Sequence, residues 1–91
     1  MKIEWSGKAL SDLDRLYEFL VPSNKKAAAI AVQLLVRASK HLLEHPRIGE
    51  QLEEFNPREV RRIIVNRYEI RYEIKGQTLY LLRLWHTKEE R

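Results

Sequence analysis

The apolar residues of this chain change their spacing once, near Gly49. Before that point they recur every three or four residues, and after it they alternate. A 3.6-residue period and a two-residue period demand different backbones. The switch therefore limits the fold to helices from the first half packed on strands from the second.

In the first half, KIEW at residues 2–5 reads as a short opening strand with Ile3 and Trp5 on one face. Ser6 can cap a helix, its hydroxyl accepting from free amides of the first turn. Along that helix Ala9, Leu13, Leu16, Tyr17 and Leu20 form the apolar stripe, while Asp12, Asp14, Arg15 and Glu18 lie away from it. Pro22 stops the helix. Ser23 is a second cap candidate, opening a longer helix to about His45, where Pro46 ends the run. Its buried stripe is expected at Ala27, Ile30, Ala31, Leu34, Ala38 and Leu42, with alanines small enough for close approach to the first helix.

In the second half, VRRIIV (60–65) reads as a strand and Asn66–Arg67 as a tight turn. YEIRYEI (68–74) follows, with Tyr68, Ile70, Tyr72 and Ile74 packed and Glu69, Arg71 and Glu73 facing water. Gly76–Gln77 turn the chain into TLYLLRLWH (78–86), apolar on both faces and so expected inside the sheet. The prediction is an α+β fold of order β-α-α-β-β-β, a helical hairpin packed on one face of a small antiparallel sheet. It forms a single domain over residues 1–91.

A chain of 91 residues supports one core, and 44% hydrophobic with 33% charged residues fits a globular protein. No apolar stretch reaches the roughly 18 residues needed to cross a bilayer. The start, MKIEWSGKAL, has no apolar signal region, and the absence of cysteine excludes disulfides, thiolate nucleophiles and Cys-based zinc sites. A cytoplasmic protein is expected. The net charge of +4 favours an anionic partner, either nucleic acid or an acidic protein segment.

Three sets of residues could carry chemistry. HLLEH (41–45) sets His41, Glu44 and His45 in the H-x-x-E-H order of inverted zinc peptidases. A zinc hydrolase needs a third protein ligand and a cleft. His86 lies far along the chain, and cationic side chains are ordinary in a last helical turn, so the motif reads as a helix terminus, with no metal and no cofactor expected. Among the arginines Arg58, Arg61, Arg62, Arg67, Arg71 and Arg83, Arg71 reads as a partner for Glu69 and Glu73 on a solvent-facing strand surface. Arg83, set beside Leu79, Leu81 and Trp85, requires an acceptor: Glu69, Glu73 or an external anion. In the tail, His86 could serve as acid or base with Arg83 and Lys88 on a phosphate, or the segment could be a charged chain end.

Taken in order, IEWSGKALSDLDRLYEFL, LLEHPRIGE, EVRRIIVNRYEIRYEI and LYLLRLWHTKEER resemble the RelE/ParE superfamily of bacterial toxins over nearly the whole chain. The resemblance implies the same hairpin on a sheet, and a cognate antitoxin that wraps the toxin. It also implies one of two activities: RelE-like cleavage of messenger RNA on the ribosome, or ParE-like inhibition of DNA gyrase without chemistry. RelE-like members carry arginine directly after the first tyrosine of the strand matching YEIRYEI; this chain has Glu69. They also carry lysines at alternate positions of the preceding strand; here Arg62 is followed on that face by Ile64. A carboxylate there repels a phosphate, which favours the ParE-like branch. On that branch Arg83, His86, Lys88 and Arg91 are the expected target contacts. On the other, Arg62, Arg83, His86 and Lys88 would form the nuclease set. Antitoxin contacts are expected at Leu13, Tyr17, Leu34 and Arg71, where an amphipathic segment could lie in a groove beside the hairpin.

Overall fold

The computed structural model describes residues 1–89. Strand β1 (Lys2–Trp5) leads into helix α1 (Gly7–Leu20) and helix α2 (Lys25–Glu44). Strands β2 (Glu50–Gln51), β3 (Glu59–Val65), β4 (Tyr68–Lys75) and β5 (Thr78–His86) follow, with one 3-10 turn at Glu53–Phe55. The sheet order is β1-β5-β4-β3-β2. Helix α1 packs on β5 and on α2, so the predicted α+β order and the hairpin on the sheet are present.

The sheet is mixed: β1 runs parallel to β5 while the other neighbours are antiparallel. Parallel pairing needs a long crossover, and the two helices supply one between β1 and the rest of the sheet. Strand β5 lies inside the sheet as expected, with β4 in the middle. The turns are as read: Asn66 (φ 58°) and Gly76 (φ 61°) take left-handed conformations at two-residue connections.

Ser6 caps α1 as expected, accepting the Ala9 N–H at 3.0 Å. For α2 the cap is Asn24 rather than Ser23, its side chain accepting from Ala27. The buried stripe of α2 is also displaced from the expected one. Ala28, Ala31, Leu35, Ser39 and Leu42 face inward, whereas Ile30 is 55% exposed. The apolar band of this helix is wider than the surface the fold covers, and spacing alone did not choose its centre. In α1 the same error concerns Asp12, which is buried between Ala9 and Leu16.

Strand β5 carries a bulge. Leu81 pairs with Tyr72 and Arg83 with Arg71, leaving Leu82 as the extra residue. The bulge resets the alternation, so Leu79, Leu81 and Leu84 all join Ile70, Tyr72 and Ile74 in the core. Arg83 therefore does not share a face with Leu79 and Leu81.

Gly49 immediately precedes β2 and lies against Arg62 of β3. A Cβ there would lie 2.6 Å from the Tyr72 hydroxyl and 2.7 Å from the Arg62 carbonyl. The Gly49 N–H donates to the Tyr72 hydroxyl at 3.0 Å, and that hydroxyl donates to the Pro46 carbonyl at 2.8 Å. Burial of Tyr72 raises its pKa, so it remains a neutral donor.

Candidate functional site

The face of the sheet away from the helices is layered rather than wet. Register sets Arg62, Ile64, Glu69, Arg71, Glu73, Arg83 and Trp85 on it. Arg58, Phe55, Arg71, Trp85 and Arg83 alternate cation and ring across it. Arg71 stands 4.7 Å from the Trp85 ring and 5.6 Å from Phe55; Arg83 stands 5.0 Å from Trp85, and Arg58 5.9 Å from Phe55. Glu69 is 1% exposed, with Arg71 Nη2 at 3.4 Å and Arg62 Nη1 at 3.8 Å. Arg62 also donates to Glu50 at 3.0 Å. Glu73 belongs to Arg58, whose two hydrogen bonds hold its carboxyl below the usual range against a smaller opposing effect of burial.

Arg83 has an internal acceptor that was not among the expected ones. Its Nε and Nη2 donate to the Asp12 carboxylate at 2.7 and 3.1 Å, and the Leu84 N–H donates to the same group at 2.9 Å. Arg15 completes the set, donating to Asp12, to Glu89 and, at 3.1 Å, to the Leu84 carbonyl. Burial pushes the Asp12 pKa up, but the hydrogen bonds from Arg83, Leu84 and Arg15 together outweigh it and leave the group lowered. The location explains the arrangement. Strand β1 ends opposite Leu81, so beyond it that edge of β5 has no strand partner among the described residues. Two side chains of α1 take over and satisfy both backbone groups of Leu84.

A groove of about 450 Å³ opens where α1 ends above the sheet. Leu16, Phe19, Leu20 and Tyr68 form its apolar walls, with Arg15, His86, Lys88 and Glu89 at the rim. Phe19 is 76% exposed.

The residues expected at a nuclease centre do not converge. His86 pairs with Tyr68 on the helix side of the sheet, its ring edge-on to Tyr68 at 5.4 Å, whereas Arg62 is on the opposite side. The His86 Nδ1 accepts the Lys88 backbone N–H, which holds the imidazole in the terminal turn. Arg83 is held by Asp12. Of the expected target contacts, His86 and Lys88 share the rim of the groove, Arg83 turns to the outer edge, and Arg91 lies outside the described residues. The expected antitoxin contacts divide as well. Leu13 and Leu34 are half-buried against the core and Tyr17 is half-buried on α1, while Arg71 is across the sheet. Sequence reasoning missed Phe19, Tyr68 and Asp12. The signal for Asp12 was present, since residues 9, 12 and 16 share one helical stripe.

His41, Glu44 and His45 do close α2 as read, with the His45 N–H donating to the His41 carbonyl at 3.2 Å. All three side chains are exposed.

Residues 3–91 match the family model described as the ParE toxin of the type II toxin–antitoxin system, parDE. The chain belongs to the ParE toxin family. Among solved structures, the chromosomal ParDE toxin–antitoxin system from P. aeruginosa is similar at 26% identity and a TM-score of 0.81, over 97% of each chain. No curated protein matches. Among the described residues no helix of this ParE-family chain is long and apolar enough to cross a membrane.

Proposed function

We propose that this ParE-family toxin acts in the cytoplasm by binding DNA gyrase and blocking it, without chemistry of its own, and that a cognate antitoxin neutralises it. The observation that carries this reading is Glu69. A carboxylate 1% exposed, ringed by Arg62 and Arg71, occupies the middle of the face where the RNA-cleaving relatives would present a cation. Those guanidinium groups are engaged by acids of the chain itself, so a phosphodiester would have to compete with them. The separation of His86 from Arg62 across the sheet adds support, because general acid–base cleavage needs the acid, the base and the phosphate clamp around one atom.

The antitoxin, in this reading, lays an amphipathic segment into the groove at Leu16, Phe19, Leu20 and Tyr68. Acidic residues in that segment would suit the net charge of +4.

Expression of the chain alone tests the proposal. Induction of the DNA-damage response and loss of supercoiling, with transcripts intact, supports it. Transcripts cut on stalled ribosomes would overturn it in favour of the ribosome-dependent endoribonuclease. No growth defect from a folded product would indicate a member that only binds its antitoxin.

A further inference from the structure

We propose that His41, Glu44 and His45 form a surface site for a divalent transition metal of the zinc, nickel and copper class. In sequence the end of α2 reads as a helix terminus; in three dimensions the terminus is what assembles the donors. One ligand atom from each side chain lies within 4.8 Å of the other two, and the imidazole centroids are 5.0 Å apart. Metal–nitrogen and metal–oxygen bonds of about 2.1 Å bring neighbouring donors to about 3.0–3.4 Å, so small rotations of exposed side chains complete the set. The two imidazoles are borderline donors, which select these metals over calcium or magnesium, and the carboxylate is a hard donor that zinc also accepts.

Two features of the surroundings favour a cation. The last carbonyls of a 20-residue helix point the same way and give its end a negative pole. Arg47, two residues beyond His45, is turned to Glu59 by hydrogen bonds of 2.9 and 3.0 Å, which occupies the nearby guanidinium. Three protein donors leave at least one position for water or for a donor from another molecule. The donors stand on an exposed helix end, and none of them lines the groove beside α1, so the site binds rather than hydrolyses. Only the helical state gathers the donors, so the metal stabilises the folded chain.

The test uses the full chain without a histidine tag, titrated with Zn²⁺ and with Ni²⁺ by calorimetry and thermal melting. The expected result is 1:1 binding with a Kd in the micromolar range and a Tm that rises with metal. His41→Ala and His45→Ala each weaken it by about tenfold or more, and Glu44→Gln by a smaller factor. Because all three positions are exposed, the apo variants should melt as the parent does. Binding weaker than about 1 mM, or affinity unchanged in the His41→Ala/His45→Ala double variant, overturns the proposal.

Discussion

The Asp12 carboxylate accepts the Leu84 N–H at 2.9 Å across 72 positions of sequence, joining the middle of α1 to the last strand where β1 has ended. The same carboxylate holds Arg83 and Arg15. One buried acid thus closes a sheet edge and pairs with two cations, Arg15 sharing a second carboxylate in Glu89.

Asp12→Ala leaves the Leu84 amide and the Arg83 guanidinium without their carboxylate acceptor and takes from Arg15 one of its three. Breaking a fully buried ion pair costs about 3–5 kcal/mol; here both arginines reach solvent, so the loss should be nearer 2–3 kcal/mol. Urea unfolding of the variant against the parent measures it, and a difference below about 0.5 kcal/mol would contradict the assigned role.

Acid should destabilise the fold. The carboxyls of Asp12 and Glu59 are lowered although burial opposes this, and that of Glu73 is lowered chiefly by Arg58. A group whose folded pKa is depressed adds stability above its unfolded pKa, and this is lost as pH falls through the folded value. With ordinary values of 3.8 for Asp12 and 4.5 for the two glutamates, Tm should fall progressively below those values. Asp12→Asn should flatten that slope, as melting curves across acidic buffers would show.

Leu35→Ala and Ile30→Ala should separate the two sides of α2. Leu35 is fully buried and its truncation should cost about 2–5 kcal/mol, whereas Ile30 is 55% exposed and should cost less than about 0.5 kcal/mol. Equal losses in chemical denaturation would mean that the buried stripe is assigned to the wrong side.

Gly49→Ala should be severely destabilising, because the added methyl meets the Tyr72 hydroxyl and the Arg62 backbone at less than 3 Å. Tyr72→Phe removes the hydroxyl that serves Gly49 and Pro46 and should cost about 1–3 kcal/mol. Combining the two should cost less than the sum, since the second change removes one of the clashing atoms.

Phe19→Asp should change stability by less than about 0.5 kcal/mol, because the ring is 76% exposed. If the antitoxin occupies the groove, the same variant should weaken its binding by about tenfold or more. A titration showing unchanged affinity would move the antitoxin elsewhere.

Local chemistry was sufficient for much of this. The periods along residues 9–20 and 68–74, the Ser6 cap and the Asn66 and Gly76 turns are set by neighbours in sequence, so the helices, the four longer strands and their order were legible; the two-residue β2, too short to show a period, was not. Glu69 was visible in the same way, as a residue type at a matched position. Which side of a wide apolar helix is buried was not legible, because Ile30 and Leu35 differ only in what the fold brings against them. The parallel pairing of β1 with β5 and the β5 bulge were equally hidden. So was the partner of Arg83: charges on α1 and β5 meet only after the sheet has formed, and the nearest carboxylate in space lies 71 positions away along the chain.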